Sequence, residues 1–412
     1  MHVLVVGGGI GDLSAAIAFR HHGFEVTVLE ASSEFRSLGG VLGFTPNGTR
    51  LLDRWCLNLV QEMHEVACQA DVFSMRHWED GRVLAEEKLD LADIYGYRVL
   101  VGARASYHRL FLDHAIGLGA KVIFGARVVS FHDKGDAKPS VVTENGDKYD
   151  ADVVVCFDGI KSLAREYILG CAAPPIPSGF SCYRGYVSGT TLAADPETAW
   201  LVDGDKGNFW LGDDCHVNGC SFLGGKDWYY IITRPTIEVL SEVTEGYFAP
   251  GRVEDVLDLV EGWDPRLVAA LAKTEECLDW QICHRPRLSS WTSKRGRLII
   301  AGDAAHPVSP TSGQGATQAI EDAAVIAYCL RQESINVALA LKVVEAIRIG
   351  RAAAVYEMGE QQRNEWHRKD ATGRECAKDK VGMKSKDFFP FDAEQDAAER
   401  FERFGAELKA DS

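Results

Sequence analysis

The segment from Gly7 to Asp12 is a glycine-rich turn of the kind that binds a phosphate group. Gly7 permits a tight turn, and Gly9 lets the backbone approach a pyrophosphate, which faces the free N–H groups at the start of the next helix. Glu30 follows 23 residues after Gly7. It closes the next predicted strand, where a carboxylate accepts hydrogen bonds from ribose hydroxyls. This order of residues predicts a dinucleotide site.

Asp12 stands where such turns usually carry a third glycine, which lets the helix pack closely on the strand. Neighbouring Gly11 can take over part of this packing. The carboxylate suits the positive end of the helix dipole, but it also sets a negative charge beside the pyrophosphate. We therefore expect Asp12 to weaken the binding of the dinucleotide.

Two later turns place an aspartate after a short apolar run. Residues 151–156 lead into Asp158-Gly159, and residues 297–301 lead into Gly302-Asp303. In doubly wound α/β folds, the ligand-binding loops lie at the carboxyl ends of such strands. An aspartate there can accept a hydrogen bond from a ribose or ribityl hydroxyl, although either turn alone could be an ordinary one.

The turn from Gly313 to Gly315 precedes a predicted helix over residues 316–330, whose apolar residues form one stripe. The first N–H groups of a helix are unpaired, and its dipole is positive at that end. The turn therefore suits the anionic edge of a bound ring.

The elements that must position these turns begin with a parallel crossover. Residues 2–6 and 24–29 are predicted strands, and residues 10–22 are a predicted helix that stops at Gly23. A strand–helix–strand unit of this kind predicts an α/β fold. The middle of the chain carries short aromatic runs that predict antiparallel strands instead. Further elements are expected at the end, a mixed-charge helix over 341–374 and a loosely packed tail over 375–412.

The composition favours a cytoplasmic protein without a nucleic-acid partner. The net charge is −16, from 44 Lys and Arg against 60 Asp and Glu, whereas phosphate backbones and anionic membranes attract clustered basic residues. No apolar run approaches the ~18 residues that span a bilayer, so we expect no integral membrane segment. The 11 cysteines show no disulfide framework, and no zinc-ligand spacing is present, so we expect no metal.

The three motifs, in this order, resemble those of the single-component FAD-dependent aromatic hydroxylases (group A flavin monooxygenases), especially the salicylate hydroxylase-like branch. The likeness covers about residues 1–370. It implies an α/β fold with a Rossmann-like FAD-binding domain, a mixed-sheet substrate domain and a helical C-terminal part. The implied domains are 1–174 (first part of the FAD-binding domain, with interspersed substrate-domain segments), 175–290 (mainly antiparallel substrate-binding sheet), 291–335 (second part of the FAD-binding domain) and 336–412 (C-terminal helical region and tail).

The resemblance also implies roles for single residues in cofactor binding. Glu30 would hold the adenosine ribose, and Asp303 the ribityl and pyrophosphate region of FAD. Asp158 matches an aspartate linked to the binding of both FAD and NAD(P)H, and Arg104 matches an arginine that contacts FAD. The positions of expected backbone contacts are Gly43 and Ala316, together with the turn glycines Gly7, Gly9, Gly11, Gly313 and Gly315.

On the substrate side, Arg184 matches an active-site arginine, and we expect Arg184 and Tyr183 to act in catalysis. Cys220 stands where many relatives have a tyrosine, so a contact to the substrate is expected to differ. Plain structural roles are expected for His216 and His306. The aromatic residues expected to wall the substrate are Phe180, Tyr183, Tyr186, Phe209, Trp210, Phe222 and Tyr230.

The implied activity is hydroxylation of a phenol- or benzoate-like ring with NAD(P)H and O2, through a flavin C4a-hydroperoxide. The cofactor carries this chemistry, while the protein binds the ring and excludes water. One alternative is an epoxidase or hydroxylase of an indole, prenyl or polyketide intermediate, which would carry the same motifs. A non-enzymatic carrier with this fold is disfavoured because both aspartate motifs are retained. A flavin halogenase is disfavoured because no W-x-W-x-I-P segment is present.

Overall fold

The computed structural model describes residues 1–34, 40–236, 248–332, 336–367 and 382–410, and all structural statements concern those ranges. Their strands are numbered in chain order. They are β1 (His2–Val6), β2 (Glu25–Leu29), β3 (Val41–Phe44), β4 (Val72–His77), β5 (Val83–Lys88), β6 (Leu100–Ala103), β7 (Lys121–Ile123), β8 (Val128–His132), β9 (Ser140–Thr143), β10 (Lys148–Asp150), β11 (Val153–Cys156), β12 (Ile176–Ser188), β13 (Gly207–Gly212), β14 (Cys215–Phe222), β15 (Asp227–Pro235), β16 (Phe248–Gly251), β17 (Cys277–His284) and β18 (Leu298–Ile300).

The helices of the same ranges are numbered in the same way, and none of them is long and apolar enough to cross a membrane. They are α1 (Ile10–His21), α2 (Pro46–Trp55), α3 (Leu59–Glu65), α4 (Ala92–Tyr95), α5 (Arg104–Gly117), α6 (Leu163–Leu169), α7 (Gly189–Ala193), α8 (Val253–Leu259), α9 (Pro265–Leu271), α10 (Gly315–Leu330), α11 (Val337–Trp366) and α12 (Ala393–Ala410).

A five-stranded parallel sheet carries the predicted dinucleotide motifs, in the order β18-β11-β1-β2-β7. Its central strands are buried on both faces, as expected when crossover helices cover a parallel sheet. The predicted strands over 2–6 and 24–29 and the helix over 10–22 agree with β1, β2 and α1 to within one residue. The Rossmann-like unit is thereby confirmed.

A second sheet has eight strands, in the order β16-β17-β12-β15-β14-β13-β4-β5. Neighbouring strands are antiparallel except for β13 and β4, which run parallel, so the sheet is mixed as predicted. One face of this sheet packs against α8 and α9 in an apolar core that includes Trp210, Trp228 and Tyr230. The opposite face is left to line a cavity.

The C-terminal part corrects the expectation of a loosely packed tail. Ala393, Ala397 and Phe401 of α12 are buried in the core that surrounds the parallel sheet. Their spacing of four residues puts them on one face of the helix. Glu394 accepts hydrogen bonds from the ring of His22 and from Nε1 of Trp55, and so ties α12 to the first helices. The last residues of the helix predicted over 341–374 lie outside the described residues.

Candidate active site

A cavity of about 550 Å³ is lined by the glycine turns of the parallel sheet and by the open face of the large sheet. The turns lie at the carboxyl ends of β1, β11 and β18, where open α/β sheets bind their ligands. The predicted site residues that line the cavity are Gly9, Gly11, Gly43, Arg104, Arg184, Asp303, Gly313, Gly315 and Ala316.

The turn after β1 folds tightly around the side chain of Asp12. Gly7 has φ +117°, and a Cβ atom at this position would lie 2.1 Å from Oδ1 of Asp12, so the turn requires glycine. The backbone N–H of Gly9 donates to Oδ2 of Asp12 at 2.8 Å. A Cβ at Gly11 would lie 3.0 Å from Cβ of Ala319, so Gly11 gives α1 its close approach to α10.

Asp12 is an acidic group in an unfavourable place. Burial raises its pKa well above the usual value, and the negative charges of Glu30 and Asp158 raise it further. Its Oδ1 is buried and has no hydrogen-bond partner among the described residues. The turn therefore already holds one acidic group where the pyrophosphate would bind.

Glu30 and Asp158 lie beside this turn without lining the cavity itself. Glu30 directly follows β2, and its Oε1 accepts from the backbone N–H of Ser32 at 2.7 Å. Asp158 accepts from the N–H of Ala164 at the start of α6, and burial raises its pKa. The Oδ1 of Asp158 is buried and, within the described ranges, unpartnered.

Asp303 follows β18 and reaches into the cavity. Its side chain is exposed, yet desolvation raises its pKa, while the charges of His306 and Arg104 oppose that rise. The side chain of Asp303 is exposed and yet desolvated because the surface that it exposes is part of the cavity wall. A carboxylate in this position is available to hydroxyl groups of a ligand.

Two guanidinium groups face the same cavity without a carboxylate partner among the described residues. Burial and the charge of Arg184 lower the pKa of Arg104, and Asp303 partly compensates. Arg184 lies with its Cζ 4.4 Å from the ring centre of Trp280, and its buried Nε has no partner in the part of the chain that the structure describes. Because two cations repel each other in this confined space, the part of the cavity around these two groups favours an anionic ligand.

Comparison with known proteins identifies the family. The FAD binding domain model matches residues 1–334. The FAD-dependent monooxygenase OpS4 of Beauveria bassiana (strain ARSEF 2860) is 31% identical over 385 residues, which are 91% of this chain and 88% of that protein. The 6-hydroxynicotinate 3-monooxygenase of Pseudomonas fluorescens is 31% identical over 373 residues, which are 89% of this chain and 91% of that protein. The chain belongs to the FAD-dependent monooxygenases.

Solved structures agree with this assignment. CtdE in complex with FAD and a substrate is 26% identical and has a TM-score of 0.89, covering 99% of this chain and all of that one. A salicylate hydroxylase substrate complex, 22% identical, has a TM-score of 0.81 over 98% of both chains and so shows the same fold. The resemblance to aromatic hydroxylases drawn from the three motifs is confirmed.

The residues of this monooxygenase fit FAD on their own chemistry. Oδ1 of Asp158, which has no partner among the described residues, lies beside a glycine turn and can accept from a hydroxyl group. At Gly8 a Cβ would lie 2.4 Å from Oε2 of Glu30, so only glycine leaves room between the turn and this carboxylate. These features suit the hydroxyl and phosphate groups of a dinucleotide.

The structure corrects the prediction for Tyr183. Side chains alternate along β12, so Arg184 faces the cavity and Tyr183 faces the opposite core, where it is 5% exposed. The Cζ of Arg234 lies 4.5 Å from the centre of its ring. Tyr183 therefore has no contact with the cavity and cannot act on a substrate there.

The predicted aromatic wall is also largely wrong, because only Phe209 of the seven residues lines the cavity. Trp210 and Tyr230 share the opposite core with Tyr183, Phe222 belongs to a smaller core, and Tyr186 is exposed. Phe180 lies under the guanidinium of Arg363. The apolar and aromatic side chains that line the cavity include Phe73, Val99, Val101, Phe209, Ile231, Trp280, Ile282, Trp366, Met383 and Phe389.

Several polar residues of the cavity were not foreseen from the sequence. His216, expected to be structural, lines the cavity, and its Nδ1 lies 2.7 Å from Nε2 of His367. Asn218 lines the cavity as well, whereas Cys220 is buried behind it and donates to its Oδ1 at 3.2 Å. His216 and Asn218 share a face of β14, and their spacing of two residues was the available signal.

A buried ionic network supports the turn that carries Asp303. Asp322 accepts from the backbone N–H of Gly302 at 2.8 Å, from Nε2 of His306 at 2.6 Å and from Nε of Arg348 at 2.8 Å. Burial raises the pKa of Asp322, but the charges of His306 and Arg348 bring it down to about 2. His306 therefore positions this turn through its side chain.

Proposed function

We propose that this monooxygenase hydroxylates a flat aromatic or heteroaromatic ring that bears an oxygen or carboxylate anion, with NAD(P)H and O2 as co-substrates. The observation that supports this most is the guanidinium group of Arg184, which has no carboxylate partner among the described residues and faces a cavity with a mostly apolar wall. A cavity of this composition binds a flat ligand by its apolar surface and orients it by its few charged groups.

For FAD, we propose contacts that follow the geometry of the glycine turns. The pyrophosphate would lie at Gly7, Gly9 and Gly11, and Glu30 would accept from the adenosine ribose. Asp303 would accept from the ribityl chain, and Asp158 would contribute its orphaned oxygen. The residues left for the flavin ring are Gly43, Arg104, Gly313, Gly315 and Ala316, which all line the cavity.

Bound FAD supplies acceptance of a hydride and activation of O2. The chain's own residues have three tasks. Arg104 and the start of α10 stabilise negative charge on the ring of the cofactor. Arg184 orients the substrate by a charge-assisted hydrogen bond to its anionic group. The apolar wall around Phe209 and Ile231 excludes water from the reacting centre.

A second candidate function is oxidation of a larger biosynthetic intermediate, such as an indole, prenyl or polyketide compound. The asperlicin C monooxygenase of Petromyces alliaceus, whose name gives that compound as its substrate, is 31% identical over 364 residues. Both candidates would share substrate-stimulated NAD(P)H consumption, so the mass and the position of the oxygen in the product separate them.

The first test is an absorption spectrum of the purified protein, followed by NADH and NADPH oxidation with phenols, benzoates, nicotinates and indoles. We expect bound FAD and oxidation that one ring class stimulates, with a product heavier by one oxygen atom. The absence of flavin, even after FAD is added, would contradict the proposal and favour the carrier. Stimulation by indoles alone would favour the second candidate.

The role of Arg184 is tested by Arg184→Ala. We expect this variant to keep FAD and to lose most substrate-dependent turnover, because the anion of the substrate loses its partner. Arg82→Ala is a matched control, since Arg82 is an exposed arginine paired with Asp80. Normal kinetics in Arg184→Ala would remove Arg184 from the site.

A further inference from the structure

Two buried histidines form a hydrogen-bonded pair in the cavity wall. His216 lies on β14 and lines the cavity, and His367 directly follows α11. Nδ1 of His216 and Nε2 of His367 are 2.7 Å apart, so one of the two rings donates to the other. This leaves Nε2 as the second polar atom of the His216 ring, and it has no hydrogen bond to any described residue.

The surroundings keep both rings uncharged. Burial lowers the pKa of His216 well below its usual value, and the charge of His367 would lower it further. Burial and the nearby cation of Arg363 lower the pKa of His367 to about 4, whereas Asp214 opposes them more weakly. At neutral pH each ring therefore carries one hydrogen and one bare nitrogen.

The far nitrogen of His367 decides which ring donates. Its Nδ1 is buried and has no partner among the described residues. If His216 donated, this Nδ1 would carry an N–H group without an acceptor among the described residues, and a buried unsatisfied polar group of either kind costs about 1–3 kcal/mol. If His367 donates, the same atom is a bare acceptor, and among buried backbone groups unsatisfied acceptors are less rare than unsatisfied N–H groups. The second arrangement is favoured.

We propose that His367 holds His216 in the tautomer with its proton on Nε2, so that His216 donates a hydrogen bond to an acceptor of the substrate. The acceptor is a phenolate or ring carbonyl oxygen. In this state His216 orients the substrate and is not a general base, because a base would need a bare Nε2. His367 is a positioning residue that acts through His216. The substrate contact rests on the proposed function above.

Asn218, two residues further along β14, supports the same inference independently. Its Oδ1 accepts from Sγ of Cys220 at 3.2 Å, which leaves the amide N–H group of the side chain for the cavity. Cys220 thus fixes the orientation of the Asn218 amide, as His367 fixes the tautomer of His216. Asn218 and His216 both present donors on the same face of one strand. A wall of two neutral donors recognises acceptor atoms.

The tautomer is tested directly by nitrogen-15 NMR on the FAD-loaded protein labelled at histidine. The two signals are assigned by their loss in His216→Phe and His367→Phe. We expect a protonated Nε2 and a bare Nδ1 for His216, unchanged between pH 6 and pH 8. A proton on Nδ1, or on both nitrogens, at pH 7 would overturn the proposal whatever the activity of the enzyme.

The substrate contact is tested with two probes that differ by one oxygen, 6-hydroxynicotinate and nicotinate. Their binding is measured from the absorbance change of bound FAD. One hydrogen bond of about 1.4 kcal/mol predicts a preference of roughly tenfold for 6-hydroxynicotinate. His216→Phe should abolish this preference, and His216→Gln should keep most of it because its amide can reach the place of Nε2.

The outcomes separate this proposal from the proposed function. If His216→Phe keeps the preference, the donor role of His216 is wrong although the enzyme still binds aromatic acids. If neither probe changes the flavin spectrum of the wild type, the proposed substrate class fails, and the NMR result alone decides the tautomer. His367→Phe should lower the preference without removing FAD, because His216 then loses the partner that fixes its proton.

Discussion

Replacing Asp12 by glycine would show whether this carboxylate opposes the binding of FAD. Its Oδ2 accepts the backbone N–H of Gly9 at 2.8 Å, which is a donor that a pyrophosphate at the turn would otherwise receive. Burial raises the pKa of Asp12, and the nearby charges of Glu30 and Asp158 raise it further. Asp12→Gly frees the donor and removes the charge.

The Asp12→Gly substitution has two opposing effects, one on the affinity for FAD and one on the stability of the apoprotein. A hydrogen bond from Gly9 to a charged phosphate contributes about 1.5–3 kcal/mol, so the Kd for FAD should fall by roughly 10- to 100-fold. The same substitution removes the capping hydrogen bond of α1, which costs about 1 kcal/mol, and places glycine instead of aspartate in the helix, which costs only about 0.3 kcal/mol more because aspartate is itself a poor helix former. The apoprotein should therefore be less stable by about 1 kcal/mol although it binds FAD more tightly.

The assay is a titration of the apoproteins with FAD by flavin fluorescence, with urea unfolding in parallel. Asp12→Asn is the matched control, because it keeps an acceptor for Gly9 and removes only the charge. The pKa of Asp12 in the folded state is raised above its ordinary value of 3.8. The neutral carboxyl group therefore stabilises the fold, and this stabilisation is fully present below pH 3.8. This stability is lost as the pH rises through the folded-state pKa.

FAD affinity of the wild type should accordingly increase as the pH falls, while that of Asp12→Asn stays flat. An unchanged Kd in Asp12→Gly would refute the reasoning, because neither the donor nor the charge would then matter. A Kd that falls equally in both variants would assign the whole effect to charge.

Two further predictions concern stability. Arg348→Ala leaves the buried carboxylates of Glu321 and Asp322 without their shared cation, so we expect a loss of about 3–5 kcal/mol by urea unfolding, and a loss below about 1 kcal/mol would contradict the network. Burial raises the pKa of Glu394, but hydrogen bonds from His22, Arg54 and Trp55 bring it down from 4.5 to about 2. The stabilisation that ionised Glu394 gives the folded protein, up to about 3 kcal/mol, is present above pH 4.5 and lost as the pH falls through 2. The difference in unfolding free energy between wild type and Glu394→Gln should therefore shrink in acid. A difference that does not change with pH would contradict this prediction.

The sequence predicted the cofactor half of the molecule well because its signals are local. A strand of consecutive apolar residues, a glycine turn and an amphipathic helix each depend on neighbours a few residues away. Thus β1, α1 and α10 agree with their predicted bounds to within a residue, and Asp303 lies at the end of β18 as expected.

The substrate half was harder because its signals are distant along the chain. Which face of β12 meets the cavity depends on packing against α8 and α9, and a shift of one residue exchanges the faces of a strand. The prediction from aromatic content alone, that Tyr183 and Trp210 wall the substrate cavity, was therefore wrong. His367 and Phe389 reach the site from beyond residue 336, where helical periodicity carries no information about a distant cavity.

The register of the large sheet explains how these residues build one site. Asn218 on β14 and Arg184 on β12 both pair with Ile231 of the intervening strand β15. With strands about 4.8 Å apart, a cation and a neutral donor stand two strands apart, separated by ~10 Å of apolar wall. That spacing suits one flat ring with an anionic group at one end and an oxygen acceptor at the other. A substrate with both groups would be fixed at two ends, so that only one edge of its ring faces the cofactor.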